Sequence, residues 1–188
     1  MILKTLILAL VVSITPSFSF ADAVPYKLLK DKSSLKFYAI NNNSSVAGEF
    51  KDFSADIKFD REKPENSKIK VAVDIKSIYS DAAKLAETLQ GNDWLSVSKF
   101  PQAVFVSKTI SKMPNSENYY ADGMLELHGK TLPVSMNFQA SFPDDKTAIA
   151  TGYITLRRTD FGIGQGAWAK DDVLKNEVRV EFRVVAER

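Results

Sequence analysis

The 188-residue chain contains no cysteine. That excludes disulfides, thiolate metal sites, cysteine nucleophiles and the lipid-acceptor cysteine of a bacterial lipoprotein. Histidine is nearly as scarce. His128 is the only one, and a single imidazole lacks the partners of a zinc site or of a serine–histidine pair. Net charge is low as well, at +2 with no basic block, which leaves no electrostatic case for nucleic acid. Nor does any apolar run reach the roughly 20 residues of a membrane-crossing helix.

What is present is an ordinary globular balance, with 45% hydrophobic and 26% charged residues, enough for one domain with one core. The N-terminus departs from it. Lys4, an apolar stretch from Leu6 to Ile14 and the small-x-small Ser19-Phe20-Ala21 have the order of a signal peptide, and Pro16 interrupts the apolar run. Residues 1–21 are therefore expected to be cleaved after Ala21, leaving a single domain over residues 22–188 in a bacterial periplasm.

Most of the remaining chain alternates apolar and polar residues with period two, the pattern of half-buried strands. Leu35, Phe37 and Ala39 share a face, Asn41-Asn42-Asn43-Ser44-Ser45 is a turn cluster, and Val46, Gly48 and Phe50 share the next face. Lys51-Asp52 shifts the phase, and Phe53, Ala55, Ile57 and Phe59 resume it, as a bulge or sharp bend would allow. Ile69, Val71, Val73 and Ile75 alternate against lysines and Asp74. Ala103, Phe105, Ser107 and Thr109 form one face of the next stretch, with Val104, Val106 and Ile110 on the other. Gly123, Leu125 and Leu127 follow, then a tight turn at His128-Gly129-Lys130 and an alternating run through Met136 and Phe138. Ala148, Ala150, Gly152, Ile154 and Leu156 come next, and Val178, Val180, Phe182 and Val184 close the chain.

About eight long strands and a short first one, joined by hairpin-length loops, leave a sandwich or an up-and-down barrel. Consecutive hairpins and the bend favour the barrel. Its inner face mixes large residues with small ones such as Ala39, Gly48, Ala55, Gly123, Ala150 and Gly152. Small inward residues either leave a cavity or make room for large neighbours; both readings stand.

Residues 80–101 break the pattern. Ala82, Ala83, Leu85, Ala86 and Leu89 recur at helical spacing, with Ser80 or Asp81 as caps and Gly91 as a stop, which predicts one short helix inserted into an all-β body. Among chemistry-bearing residues, His128 reads as a turn residue, and the pairs Asp144-Asp145 and Asp171-Asp172 as solvated loops. Arg157-Arg158 before Asp160 reads first as a strand-end ion pair and second as a head-group contact at a barrel mouth. Gly162, Gly164 and Gly166 follow a strand without opening a helix, so they are a barrel-end loop rather than a dinucleotide fingerprint.

Ordered along the chain, several segments resemble the YceI family of bacterial periplasmic proteins. They are Val46-Ala47-Gly48-Glu49-Phe50-Lys51-Asp52-Phe53, Asp74-Ile75-Lys76-Ser77-Ile78, Asp93-Trp94-Leu95 running to Lys99-Phe100-Pro101, His128-Gly129-Lys130-Thr131-Leu132-Pro133-Val134 and Arg158-Thr159-Asp160-Phe161-Gly162-Ile163-Gly164. Trp94 and the run from Gly164 to Trp168 look most like a subgroup associated with membrane di-haem cytochromes b. The resemblance implies an all-β, lipocalin-like eight-stranded antiparallel barrel with one short helical insertion. It also implies a polyisoprenoid or similar amphiphile inside, such as ubiquinone or a prenyl phosphate, with no catalytic set to carry over and no required cofactor. The wall residues expected to touch such a chain are Phe37, Ala39, Phe50, Ile57, Phe59, Val71, Val73, Ile75, Phe105, Leu125, Met136, Phe138, Ile154, Val180 and Phe182, with Trp94, Phe161 and Trp168 in barrel-end loops. Rival expectations are an accessory role beside a membrane cytochrome b and a lipid or glycan hydrolase. The state expected in solution is monomer or homodimer.

Overall fold

In the computed structural model the described residues are 23–41, 44–82, 84–168 and 174–188. The signal-peptide reading of residues 1–21, the helical assignment of Ala83 and the loop reading of Asp171-Asp172 lie outside them. The alternating stretches become strands β1 (Val24–Leu28), β2 (Ser34–Asn41), β3 (Ser44–Phe50), β4 (Phe53–Phe59), β5 (Lys68–Asp74) and β6 (Ile78–Tyr79). After the insertion come β7 (Gln102–Lys112), β8 (Asn118–Leu127), β9 (Lys130–Ser141), β10 (Thr147–Arg157) and β11 (Glu177–Glu187).

All neighbours pair antiparallel in the order β1-β4-β5-β7-β8-β9-β10-β11, and β1 closes the circle by pairing Lys27 with Glu187 and Leu28 with Ala186. The result is a closed barrel of eight strands. Higher up, β2 replaces β1 beside β11, β3 continues β4, and β6 continues β5. Three ribbons are thus each broken once: by a 3-10 turn at Lys30–Lys32, by a corner at Lys51-Asp52, and by a 3-10 turn at Ile75–Ser77. The short first strand expected from the sequence is the lower half of a ribbon. The phase shift at Lys51-Asp52 is the corner of another, and Ile75 lies in a turn rather than a strand.

One phase was misplaced. The register of β7 slips between Ser107 and Thr109, so Ile110 turns inward, 1% exposed, while Thr109 faces out. A bulge adds one residue and inverts the faces beyond it. The β8–β9 hairpin has its two loop residues, His128 and Gly129, at φ 52° and 71°, the left-handed pair that matches strand twist.

The insertion between β6 and β7 contains helix α1 (Leu85–Gln90). It is shorter than its apolar spacing predicts, and neither expected cap is used. Ser80 Oγ donates to Ala47 O at 2.7 Å, and Asp81 accepts from the Tyr79 hydroxyl at 2.7 Å. Lys84 instead enters the helix at φ 62°, while Gly91 donates to Thr88 O at 3.0 Å and ends it as anticipated.

An aromatic cluster closes the lower end of the barrel. Tyr119 stacks on Phe138 at 5.3 Å and meets Phe59 edge-on at 5.4 Å, with Tyr26 and Ile110 buried beside them. Asp60 ties the loop below. It is 5% exposed, and its Oδ1 accepts from the amides of Glu62 and Lys63, both at 2.9 Å. The Lys63 amide is the main cause holding its carboxyl below the usual aspartate range, against the opposing effect of burial. A lowered folded-state pKa stabilises the fold above the unfolded value of about 4 and loses that contribution as pH falls through the folded value. Asp60→Asn keeps an acceptor but removes the charge. It is expected to cost about 1 kcal/mol at neutral pH, with the gap to wild type closing below about pH 4 in denaturant titrations. A gap that is constant with pH would contradict this.

The wall has one loosely joined seam. Pairing of β10 with β11 runs its full length, but β10 pairs with β9 only from Ile149↔Ser141 to Tyr153↔Asn137. Above that point Pro133, which has no N–H to donate, lies in the stretch of β9 unpaired on this side. Hydrogen exchange should therefore find amides pointing across this seam, within residues 131–136 and 154–157, unprotected relative to those around Gln139 and Thr151.

Candidate functional site

Because alternate residues of every strand face inward, the barrel interior collects the apolar half of the sequence. It encloses a cavity of about 430 Å³, within the range of natural small-molecule pockets. Every wall residue singled out from the sequence reaches it. Phe37, Ala39 and Phe50 line it from β2 and β3, Ile57 and Phe59 from β4, and Val71, Val73 and Ile75 from β5 and its turn. Phe105 and Leu125 line it from β7 and β8, Met136 and Phe138 from β9, Ile154 from β10, and Val180 and Phe182 from β11. Trp94, Phe161 and Trp168 border it from the loops. Phe59 and Phe138 do so as part of the aromatic floor.

The small inward residues divide into two kinds. Ala39, Ala55, Ala148 and Ala150 line the cavity. The glycines do not. A Cβ on Gly48 would lie 2.5 Å from the Phe37 ring, one on Gly152 2.7 Å from that of Phe182, and one on Gly123 would strike Phe105. Each glycine is the bed on which an aromatic ring from the neighbouring strand lies. The alanines leave space, whereas the glycines accommodate bulk.

Three connections pack together at the upper end: the insertion with α1, the β8–β9 hairpin and the long β10–β11 loop. Arg158 organises the last of these. Period two continues past Leu156 to turn it inward, and it is 3% exposed. Its Nε donates to Lys175 O at 3.2 Å, and Nη1 to Ile163 O at 3.1 Å and Gly164 O at 3.0 Å. Nη2 donates to Trp168 O at 2.6 Å and Leu174 O at 3.0 Å. All five guanidinium N–H groups are thus engaged by loop carbonyls. Its neighbour Arg157 is the exposed one, 3.7 Å from Asp160 in the strand-end pair expected for this dipeptide.

The loop docks onto the other two connections. Gly164 and Gln165 donate to Asp93 O at 2.9 and 3.2 Å, which brings Trp94 and Trp168 together at 5.5 Å between ring centroids. His128 Nδ1 donates to Phe161 O at 2.9 Å, and its ring meets Phe100 edge-on at 4.9 Å. The lone histidine is a turn residue, as expected, and also a clamp on this loop. Gly164 has φ +70°, and a Cβ there would lie 2.5 Å from Arg158 Nη1. Gly164→Ala is expected to lower stability by about 1–3 kcal/mol in thermal or denaturant unfolding, because strain and displacement of Arg158 act together. A loss within 0.5 kcal/mol, roughly the scatter of surface substitutions, would contradict that.

The lining is chemically sparse. Tyr26, Asn41, Thr88 and Ser107 are its uncharged polar members apart from the tryptophans, and Arg158 is the one ionic residue among the described residues. Ser107 Oγ already accepts from the Ile69 amide at 2.9 Å. Asn41, which the sequence places in a turn cluster, continues the inward face of Leu35, Phe37 and Ala39 at the top of β2. No aspartate or glutamate lines the cavity among the described residues, so the paired carboxylates of a glycan hydrolase have no counterpart there. Nor do the described residues contain a cluster of three or more metal-ligating side chains.

Comparison with known proteins agrees with this architecture. A family model described as a YceI-like domain matches residues 26–186. A UPF0312 protein of Pseudomonas putida is 34% identical over 145 residues, covering 73% of each chain. Among solved structures, Burkholderia cenocepacia BcnA superposes with a TM-score of 0.80 at 26% identity, over 84% of this chain and 98% of that one. A polyisoprenoid binding domain from Saccharophagus degradans, implicated in plant cell wall breakdown, superposes with a TM-score of 0.68 over 87% of this chain and 98% of that one. At 12% identity that likeness concerns the fold.

Proposed function

The chain belongs to the YceI family, and on that premise we propose that it is an exported binding protein that holds a long-chain isoprenoid amphiphile inside its barrel for transport or storage. The observation that carries this reading is the apolar cavity of about 430 Å³ in a barrel whose alanines leave space. Each methylene transferred from water to such a wall contributes about 0.8 kcal/mol, so a prenyl tail binds without charged recognition. Isoprenoid quinones and prenyl phosphates both carry such tails. The signal-like residues 1–21 and the family resemblance support a periplasmic location, where free prenyl chains cannot cross the aqueous gap unaided.

Extraction of the purified native protein with organic solvent, followed by mass spectrometry, tests the reading directly. An isoprenoid lipid should be recovered in amounts comparable to the protein, and added ubiquinone should quench Trp94 and Trp168 at the cavity border. Recovery of no lipid together with no quenching would remove the proposal.

The paired tryptophans support a second role. Trp168 is 39% exposed beside Trp94, at the end of the barrel that resembles the cytochrome-associated subgroup. In this reading the tryptophan end docks on a membrane cytochrome b and exchanges quinone with it. Crosslinking in membranes should then recover a haem-containing partner, and Trp168→Ser should abolish the crosslink.

A further inference from the structure

We propose that Asn41 is the hydrogen-bonding contact for the ligand's head group, and that this head group is uncharged and carries a hydroxyl or N–H donor. The inference rests on the lipid-binding reading and narrows it. Asn41 stands at the upper end of the cavity, on the inward face of β2, and bridges to Leu174. Its Oδ1 is buried and has no hydrogen-bond partner among the described residues. Leaving a buried carbonyl oxygen unpaired is costly, and such groups almost always have a donor in the functional state.

Water would satisfy this oxygen poorly. A buried water needs two to four polar partners. Asn41 shares the inward face of β2 with the apolar Ala39, its cross-strand partner Ser44 is exposed, and the carbonyl of Leu174, to which it bridges, already accepts from Arg158 at 3.0 Å. A ligand can instead bring the donor with it.

The surroundings also select the charge. A phosphate dianion brings no donor to Oδ1, and beyond the Asn41 Nδ2 group it gains nothing from the nearby guanidinium, whose five N–H groups all go to loop carbonyls. An ammonium head could donate to Oδ1. It would, however, be buried beside the charge of Arg158 with no carboxylate in the lining among the described residues. An alcohol, a primary amide or a hydroquinone meets both conditions. The same terminus would hold an acceptor-only ketone less well.

The test compares four probes of one chain length: geranylgeraniol, geranylgeranyl phosphate, a geranylgeranyl ketone and the parent hydrocarbon. Their dissociation constants are measured on the delipidated full mature chain by displacement of a fluorescent polyene. The wild type should bind the alcohol most tightly. Asn41→Leu should weaken the alcohol about tenfold and leave the ketone and hydrocarbon within about twofold, because the contact is made to the buried Oδ1, which only a donor can use. Removing an unpaired acceptor should also leave the melting temperature of the empty protein unchanged or raised. Equal shifts for alcohol, ketone and hydrocarbon would overturn the assignment, as would phosphate binding that equals the alcohol and falls in the variant. Failure of all four probes on wild type would instead remove the lipid reading itself. Should Asn41→Leu not fold, Asn41→Ala makes the same comparison among head groups.

Discussion

Replacing Arg158 with methionine is expected to be the most damaging single substitution in the barrel wall, lowering stability by about 3–5 kcal/mol. The side chain is 3% exposed and satisfies carbonyls of Ile163, Gly164, Trp168, Leu174 and Lys175. Methionine fills similar space but donates nothing, so these acceptors would face each other across an apolar thioether. Their costs do not add in full, because the loop can lift and admit water once the first bonds are gone. That same relief would part Trp168 from Trp94 and loosen the Asp93 contacts. In a domain of this size the loss corresponds to a fall of roughly 10 °C in melting temperature, accompanied by a red shift of tryptophan emission. Arg158→Lys should recover only a part of it, since a single ammonium cannot span carbonyls on both sides of the loop. A methionine variant within 1 kcal/mol of wild type would show that the loop does not depend on the guanidinium.

Arg158 also marks where the sequence was legible and where it was not. Period two had already assigned Ala148 to Leu156 inward, and extending it two residues separates the buried Arg158 from the exposed Arg157. The dipeptide was read as one unit because two arginines of equal chemistry hide their difference in facing. Asn41 is the same case at the end of β2, where turn-forming composition masked the parity of Phe37 and Ala39. The bulge in β7 escaped for another reason. Val104, Val106 and Ile110 are all apolar, so alternation carried no phase, and the inversion after Ser107 needed the partner strand to show it. By contrast, the corner at Lys51-Asp52 was visible because polar residues interrupted the apolar face on both sides of it. The helix start was hidden by Lys84, whose left-handed backbone no propensity would suggest. Closure itself, through Lys27 and Leu28 against Glu187 and Ala186, is a contact between chain ends that local patterns do not encode.

The largest effect on ligand content is expected from filling the cavity. Ala55 and Ala150 line it from β4 and β10, and neither is a glycine bed for a neighbouring ring. Ala55→Phe and Ala150→Phe, made singly, should each reduce co-purifying lipid and quinone affinity by tenfold or more. A tail that loses two buried methylenes forfeits about 1.6 kcal/mol, already more than tenfold in affinity. Stability of the empty protein should move the other way or hardly at all, because a ring entering a void gains burial where a packed core would pay in strain. The opposite signs separate this from general damage, which lowers both quantities. Thr151→Phe is the control: it neighbours Ala150 on β10 but is exposed on the outer face, so it should leave lipid content unchanged. If the inward and outward substitutions reduce lipid equally, the tail does not lie in the barrel, and the alanines only fit the taper of the wall. If the inward ones alone act, the spacing of small residues along the strands determines how much of the chain the barrel can hold.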